Sequence, residues 1–339
     1  MAVLLDWCMF YLMICINTPV GWQTLNLIDF EIFNVSAAQL NPSGVLAVMD
    51  NDRKQLVLFS PQGALIGRFS GPGQGPRELA YVPEIFWDVG RNAFGLLDET
   101  QNRLSFWDSS GGFVQVVAIP HLQWTRSVHA LEGEVILFVS DIFGYAHKVP
   151  RIHQLIGDNH KILRSFEMAQ PREGTASTSM GPFGMVNDFH PRILMDVGTT
   201  MIAVCNSESD RVDLIAHSGE LMSHVTVSMT TFELTDDRLR DWLLEHEPFV
   251  RQMVKLDQID RPDTYPMIHG LLLDDQDRLW VFGQGHPKTG IYETSVFQDA
   301  HLVWQGHMAA LPFQICANQL FSCIENDEGV RITSRPVGF

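Results

Sequence analysis

Histidine is the residue type in this sequence with the widest chemical scope, because imidazoles from several strands can together hold a metal ion. Four histidines fall near the starts of predicted strands: His121, His129, His190 and His269. His269 precedes Asp274 by five residues. His190 lies six residues before Asp196, and a slip of one residue reverses the face of a strand side chain. Three interpretations stay open: a zinc or calcium site centred on His190 and His269, contacts to a non-metal ligand, and histidines that bind nothing.

Other catalytic patterns are missing from the sequence. It contains no Gly-x-Ser-x-Gly elbow and no His-Glu-x-x-His motif. The glycine-rich segment 70–76 lacks the Gly-Lys-Ser/Thr ending of a phosphate loop and precedes a strand, so we interpret it as a connector. The cysteines show no metal-ligand spacing. Cys316 and Cys323 are predicted to be diagonal neighbours across a turn at Asn318–Gln319, too far apart for a disulfide.

The charge of the chain limits the classes of partner. Lys and Arg number 23 against 40 Asp and Glu, a formal net charge of -17. Such a chain repels phosphate backbones and shows no basic patch, so no nucleic-acid partner is expected. Hydrophobic residues make up 45% of the chain, enough to fill a core. We expect a folded, acidic monomer whose partner is a protein or a small molecule.

A repeat organises the chain. The stretch 67–111 is typical of four short strands joined by turns, an antiparallel meander. Three segments align without a gap: Asp50–Gly63, Asp98–Gly111 and Asn206–Gly219. The same opening is predicted at Leu271–Val281, with weaker copies at 135–139 and 313–324. Because no unit can bury both of its faces alone, six such units predict one closed ring, a single domain over residues 22–339.

Two motifs carry a family resemblance. The connector GPGQGPREL at 71–79 and the corner DETQNRLSFWDSSG at 98–111 resemble NHL-type repeats and, more broadly, the bacterial six-bladed β-propeller proteins. The resemblance extends over nearly the whole chain after about residue 22. It implies an all-β fold, a six-bladed β-propeller. It implies less about function, because such propellers act as binding scaffolds, lyases, lactonases and signalling modules.

The two ends of the chain are predicted to close this ring. Residues 22–35 alternate apolar and polar side chains, as in a strand, and the last unit supplies only three strands. The N-terminal strand would complete the last blade and remove exposed strand edges. Two insertions interrupt the repeat, at 170–191 and 231–266. The second is predicted to be a small helical insertion between blades four and five, with Thr235 as its N-cap.

Residues 1–21 are predicted to be a signal or targeting segment. Their apolar run, 7–16, has the length of the hydrophobic region of a secretory signal and is short for a membrane span. No Lys or Arg precedes the run, which leaves a packed terminal strand or a misassigned start as alternatives. The segment indicates a bacterial protein that is secreted or periplasmic, with no membrane span in the mature chain. A cytoplasmic location is the alternative.

Polar residues that recur at one position of the repeat are predicted to be structural. Asp50, Asp98 and Asn206 recur at the first position of the corner. A short polar side chain there accepts backbone N–H groups in a tight turn. Arg103 and Arg211 share another position, so we predict that both fix the same corner.

The polar and aromatic residues that the repeat does not explain form the candidate binding site. By topology they lie on one rim: Arg77, Glu78, Trp124, Arg126, Arg172, Arg192, Tyr265 and His269. Arg and aromatic side chains on the loops of a rigid scaffold are typical of binding surfaces. We therefore predict a non-catalytic binding propeller without a cofactor. The alternative is a metal-assisted lyase or hydrolase, with zinc or calcium at His190 and His269 in the mouth of the central channel.

Overall fold

The computed structural model describes the chain in segments. They are 24–119, 125–131, 135–140, 151–156, 161–167, 175–178, 181–184, 193–238, 240, 263–286, 289–316, 318–326 and 329–337. Within them, the side chains of 125–127, 131–184 and 325–326 are not described. The N-terminal segment 1–21, the insertion 170–191 and most of the insertion 231–266 lie outside the described residues or side chains.

The described residues are almost entirely β-strand. In chain order the strands are β1 (Thr24–Asn26), β2 (Val35–Leu40), β3 (Leu46–Asp50), β4 (Gln55–Phe59), β5 (Leu65–Phe69), β6 (Glu84–Asp88), β7 (Ala93–Asp98), β8 (Arg103–Asp108), β9 (Phe113–Ala118), β10 (Thr125–Leu131), β11 (Val135–Ser140), β12 (Arg151–Ile156), β13 (Lys161–Glu167), β14 (Thr175–Thr178), β15 (Gly181–Gly184), β16 (Ile193–Val197), β17 (Met201–Asn206), β18 (Arg211–Ala216), β19 (Leu221–Thr226), β20 (Ile268–Leu273), β21 (Leu279–Gly285), β22 (Tyr292–Gln298), β23 (His301–Met308), β24 (Gln314–Cys316), β25 (Gln319–Asn326) and β26 (Gly329–Pro336). A 3-10 helix, Leu27–Phe30, follows β1. Residues 236–238 and 240 are helical, and the backbone N–H of Arg238 donates to Thr235 Oγ1 at 3.4 Å, as expected of an N-cap.

The strands of the described residues form six four-stranded antiparallel sheets and one separate pair, β14–β15. The first to sixth sheets, each in order from its innermost strand outward, are β2–β5, β6–β9, β10–β13, β16–β19, β20–β23 and β24–β25–β26–β1. Innermost strands of neighbouring sheets lie side by side, β2 with β6 with β10 and β16 with β20 with β24. This radial arrangement is an all-β propeller. The third sheet is described mainly by its backbone. Side-chain packing against neighbouring sheets therefore establishes the other five sheets as blades.

Apolar side chains fill the spaces between neighbouring sheets. Met49 of the first sheet packs with Trp87 and Phe94 of the second, and Phe106 of the second packs with Val128 of the third. Strands near the centre are covered on both faces, so β3, β6 and β20 are buried at every residue. The outermost strand β9 is covered on one face, and its residues alternate between half-buried and exposed.

Two contacts close the ring between the last sheet and the first. The predicted closing strand is present, because β1 pairs with β26 from Thr24↔Thr333 to Asn26↔Arg331. It is shorter than the predicted strand 22–35, since the chain turns into the 3-10 helix after Asn26. Near the centre, the backbone N–H of Leu40 in β2 donates to Gln314 Oε1 of β24 at 3.0 Å. A side chain of the sixth sheet therefore accepts a hydrogen bond from a backbone N–H group at the inner edge of the first sheet.

The corner of the second sheet behaves as predicted. Asp98 is fully buried, and its carboxylate accepts hydrogen bonds from the backbone N–H groups of Ala80 at 3.1 Å and Tyr81 at 3.4 Å. Arg103 lies 3.6 Å from the same carboxylate and donates to the backbone carbonyl of Glu78. The recurring Asp and Arg therefore fasten the glycine-rich connector to the blade that follows it.

Two other corner predictions are wrong. Arg211 leaves the corner, because its Nε donates to Asp213 Oδ1 at 2.6 Å, and its side chain is 46% exposed. Asp274 lies between the first and second strands of its sheet, whereas Asp50 and Asp98 lie between the second and third. Any tight turn between strands offers N–H groups to a short carboxylate, so this motif does not identify which turn it occupies.

The cysteine register also differs from the prediction. Cys316 pairs with Gln319, so Gln319 belongs to the strand and not to the turn. Cys205, Cys316 and Cys323 are free thiols. Among the described residues, no helix is long and apolar enough to cross a membrane.

Candidate functional site

The turns that join first and second strands lie together at one end of the ring. Asp277, in the turn of the fifth sheet, accepts hydrogen bonds from Thr199 N at 2.6 Å and Thr200 Oγ1 at 2.7 Å in the turn of the fourth. Arg278 donates to Asn318 Oδ1 of the sixth sheet at 3.2 Å. Because neighbouring strands are antiparallel, the starts of the innermost strands and the connectors leading to them lie at the opposite end. We call it the connector end.

Three innermost strands carry a β-bulge at their second residue. The register with the neighbouring strand skips Ser36 in β2, Arg126 in β10 and His269 in β20. A bulge inserts one extra residue and changes the direction of its side chain, and bulges are frequent beside functional sites. Ser36 Oγ donates to the backbone carbonyl of Val82 at 2.7 Å, which links it to the connector of the next blade. The bulges therefore place residues of the first, third and fifth sheets at the connector end.

His269 has the most developed surroundings of these three residues. Its side chain is 7% exposed, and its Nδ1 lies 3.1 Å from Gln284 Oε1. An amide oxygen only accepts hydrogen bonds, so this contact requires the proton on Nδ1 and leaves the lone pair on Nε2. The ring centroid of Tyr292 lies 5.8 Å from that of His269. The imidazole is thus oriented by its neighbours.

The base of the insertion 231–266 stands beside this histidine. The backbone N–H of Tyr265 donates to the carbonyl of Phe232 at 2.9 Å, which holds the two ends of the insertion together. The ring of Phe232 meets that of His286 edge to face at 5.3 Å. Tyr265 itself is buried, contrary to the prediction of a rim side chain.

The predicted pair Arg77 and Glu78 belongs to the connector of the second sheet. Glu78 Oε2 accepts the backbone N–H of Gly75 at 2.7 Å, so this carboxylate stabilises the glycine-rich turn. The guanidinium of Arg77 is exposed and lies 5.4 Å from the ring centroid of Phe113. Arg77 is available to a ligand, whereas Glu78 is held by its own loop.

Several predicted site residues lie outside the described residues or side chains. Those outside the described residues are His121, Trp124, Arg172, His190 and Arg192. Arg126 is described by its backbone only. His129 is buried, and burial lowers its pKa to about 3. Among the described residues no three His, Cys, Asp or Glu side chains are grouped as metal ligands.

Sequence reasoning missed Gln284 and Tyr292, the two partners of His269. Gln284 stands between two glycines at the end of the apolar run 279–282. A long polar side chain in that place was a usable signal, because a polar residue at the end of a buried strand needs a hydrogen-bond partner. The bulge that brings it to His269 has no signal in the sequence.

Comparisons with known proteins show the fold. No family model and no curated protein matches the chain, so the NHL-type assignment has no support from them. A putative exported protein from Bacteroides fragilis is similar in structure, with 11% identity and a TM-score of 0.51 over 99% of this chain and 97% of that one. The RRP9 WD40 repeats have 9% identity and a TM-score of 0.51 over 94% and 100%. Virginiamycin B lyase from Staphylococcus aureus has 11% identity and a TM-score of 0.49 over 94% and 88%. At such identities only the propeller fold is shared, and both binding proteins and enzymes have it.

Proposed function

We propose that this protein is a binding propeller that presents its connector end to a protein or a small ligand, with His269 at the centre of the binding surface. The observation that carries the proposal is the bulge at His269, which holds a nearly buried imidazole against Gln284 and Tyr292. A side chain oriented by neighbours on two adjacent strands costs little to order when a ligand binds. The binding role is non-catalytic.

The finer features of the proposal extend this picture. In this proposal the third sheet forms the sixth blade of a single-domain monomer, and the rim residues Arg77, Trp124, Arg126, Arg172 and Arg192 contribute to the binding surface together with His269. We place the protein outside the cytoplasm, in the periplasm or secreted. This location agrees with the apolar run 7–16 and with the description of the similar Bacteroides fragilis protein as exported.

One observation favours the alternative, a metal-assisted lyase or hydrolase. His269 has its proton held on Nδ1 by a side-chain acceptor, which is how metal-binding histidines are commonly oriented. The described residues supply only this imidazole, and His190 lies outside them. No reaction step is therefore derived through a metal.

A fragment screen by ligand-observed NMR tests the proposal. We expect fragments that bind the wild-type protein and lose about tenfold or more in affinity with His269→Gln. His301→Gln, which changes an exposed histidine at the start of β23, is the matched control and should keep all of them. Equal binding by the His269→Gln variant would overturn the placement of the site.

The same preparations separate the alternative. Protein purified without chelators or a histidine tag is analysed for zinc and calcium. A binding propeller contains neither in stoichiometric amount. About one ion per chain, lost in the double variant His190→Ala/His269→Ala, would replace the binding role with the metal-dependent enzyme.

A further inference from the structure

A polar cleft opens between the fourth and fifth sheets, on the outer side of the ring. One wall is the end of β19 with its extension to Thr230, and the other wall is formed by β22 and β23. Its volume is about 390 Å³, within the range of small-molecule sites. Its polar lining consists of Thr226, Ser228, Thr230, Glu293, Ser295 and Gln305.

The first wall is a row of hydroxyl groups at every second residue. Thr226, Ser228 and Thr230 are exposed, whereas Val227 and Met229 between them are buried in the core of the two sheets. Because Val227 and Met229 are held in the core, the three alternating hydroxyls face the same side of the segment. The wall therefore offers both donors and acceptors in a fixed pattern.

The second wall holds a carboxylate in place. Glu293 Oε2 accepts the backbone N–H of Thr230 at 2.8 Å, and its Oε1 accepts Gln305 Nε2 at 3.1 Å. Each carboxylate oxygen can accept a further hydrogen bond, so the group remains able to bind a ligand hydroxyl. The two contacts orient it without a loss of side-chain freedom on binding.

Ser295 points to a ligand most directly. This serine is 2% exposed and lines the cleft, and no hydrogen bond joins its hydroxyl to a described residue. The hydroxyl oxygen is not among the enclosed unpaired atoms of the described residues, so it remains accessible from the cleft. A polar ligand in the cleft can therefore form a hydrogen bond with it.

The equivalent place in the second sheet is closed. The fifth and second sheets each have a bulge between their third and fourth strands, at Val296/Phe297 and at Phe106/Trp107. When the two sheets are aligned on these bulges, Ser295 corresponds to Ser105. Leu302 corresponds to Phe113 in the same alignment. In the second sheet the connector occupies the position of the cleft, because Arg77 lies over the ring of Phe113. Ser105 also lacks a hydrogen-bond partner but is fully sealed from solvent. The blade architecture therefore does not require an open cleft at this position.

We propose that the polar cleft binds a neutral carbohydrate. Among the described residues that line it there is no Lys, Arg or His, and Glu293 repels anions, so acidic ligands are disfavoured. Hydroxyls, an amide and a carboxylate match the many hydroxyl groups of a sugar, and Met229 and Phe297 supply apolar surface for its C–H faces.

Titration of the intact protein with defined sugars tests this site. The panel is glucose, galactose and N-acetylglucosamine, with their β-linked tetramers, measured by saturation-transfer NMR and isothermal titration calorimetry. We expect at least one to bind the wild-type protein. Ser295→Ala should weaken it about tenfold, as expected for the loss of one buried hydrogen bond.

The variants keep the test decisive. Thr226→Val and Ser228→Ala change exposed hydroxyls without touching the core, so they fold even if Ser295→Ala does not, and both should weaken binding. Ser105→Ala removes a buried serine at the equivalent, closed place and should bind as the wild type does. The proposal is overturned if no sugar of the panel binds, or if Thr226→Val and Ser228→Ala both bind with unchanged affinity.

Discussion

Asp196 and His129 are buried ionisable residues on innermost strands, and burial shifts their pKa values in opposite directions. Burial raises the pKa of Asp196 to about 8, although the backbone N–H groups of Leu273 and Val197 donate to its carboxylate and act against this rise. Burial lowers the pKa of His129 to about 3. Both side chains are therefore mainly uncharged in the folded protein at neutral pH.

Replacement of Asp196 by Asn should change how stability depends on pH. An unfolded Asp titrates near pH 4, so between about pH 4 and about pH 8 only the folded protein keeps this proton. The stability that Asp196 contributes is thus present at low pH and is lost as the pH rises through that window. Asn keeps an acceptor for Leu273 N–H and cannot ionise. The free energy of unfolding of the variant minus that of the wild type should therefore increase with pH, by at most about 1.4 kcal/mol per unit.

Urea unfolding at a series of pH values measures this difference. A difference that stays constant across the pH series would mean that Asp196 is ionised in the folded protein.

At the scale of elements, one repeat position of the second and fifth sheets holds the connector to the blade, with a positive side chain in one sheet and a negative side chain in the other. Arg103 in β8 donates to the backbone carbonyl of Glu78 in its connector. Glu293, at the equivalent position of β22, instead accepts the backbone N–H of Thr230. The contact to the connector is kept while the sign of the charge is reversed, because the connectors present different backbone groups.

Alanine substitutions at this repeat position should have unequal effects. Arg103→Ala leaves the buried carboxylate of Asp98 without its cation and should lower the free energy of unfolding by about 3 kcal/mol. Arg211→Ala breaks an exposed pair with Asp213 and should stay within about 0.5 kcal/mol of the wild type. Guanidinium unfolding monitored by fluorescence measures both. Equal losses would show that Arg103 does not hold the connector.

The whole molecule depends on a three-residue strand. β1 covers the outer edge of β26, and Leu25 inserts into the core shared by the sixth and first sheets. Without it, the paired edge of β26 would be exposed to other chains. Ring closure therefore joins residues that are about 300 positions apart in sequence, which predicts slow, non-local folding.

Leu25→Asp should open the ring. A charge in the closing core costs far more than one exposed on the same strand, so this variant should unfold at a much lower temperature and aggregate through the free edge of β26. Asn26→Asp, on the exposed face of β1, should behave as the wild type does. Differential scanning calorimetry with light scattering measures both, and a normal transition for Leu25→Asp would show that closure does not depend on β1.

The sequence by itself predicted the all-β repeat, the four-stranded units and the closing strand, because alternating apolar residues and turn residues are local signals that recur in each unit. It also identified Asp98 and Arg103 as structural. It did not distinguish the turn at Asp274 from a corner or show that Arg211 turns to Asp213, because the same residue types satisfy different local partners.

Only the tertiary structure decided which polar residues meet. His269 contacts Gln284 and Tyr292 because a bulge in β20 shifts the register, and bulges leave no local sequence pattern. The polar cleft likewise lies between the outer strands of two sheets, and no pattern within one strand encodes the space between two sheets.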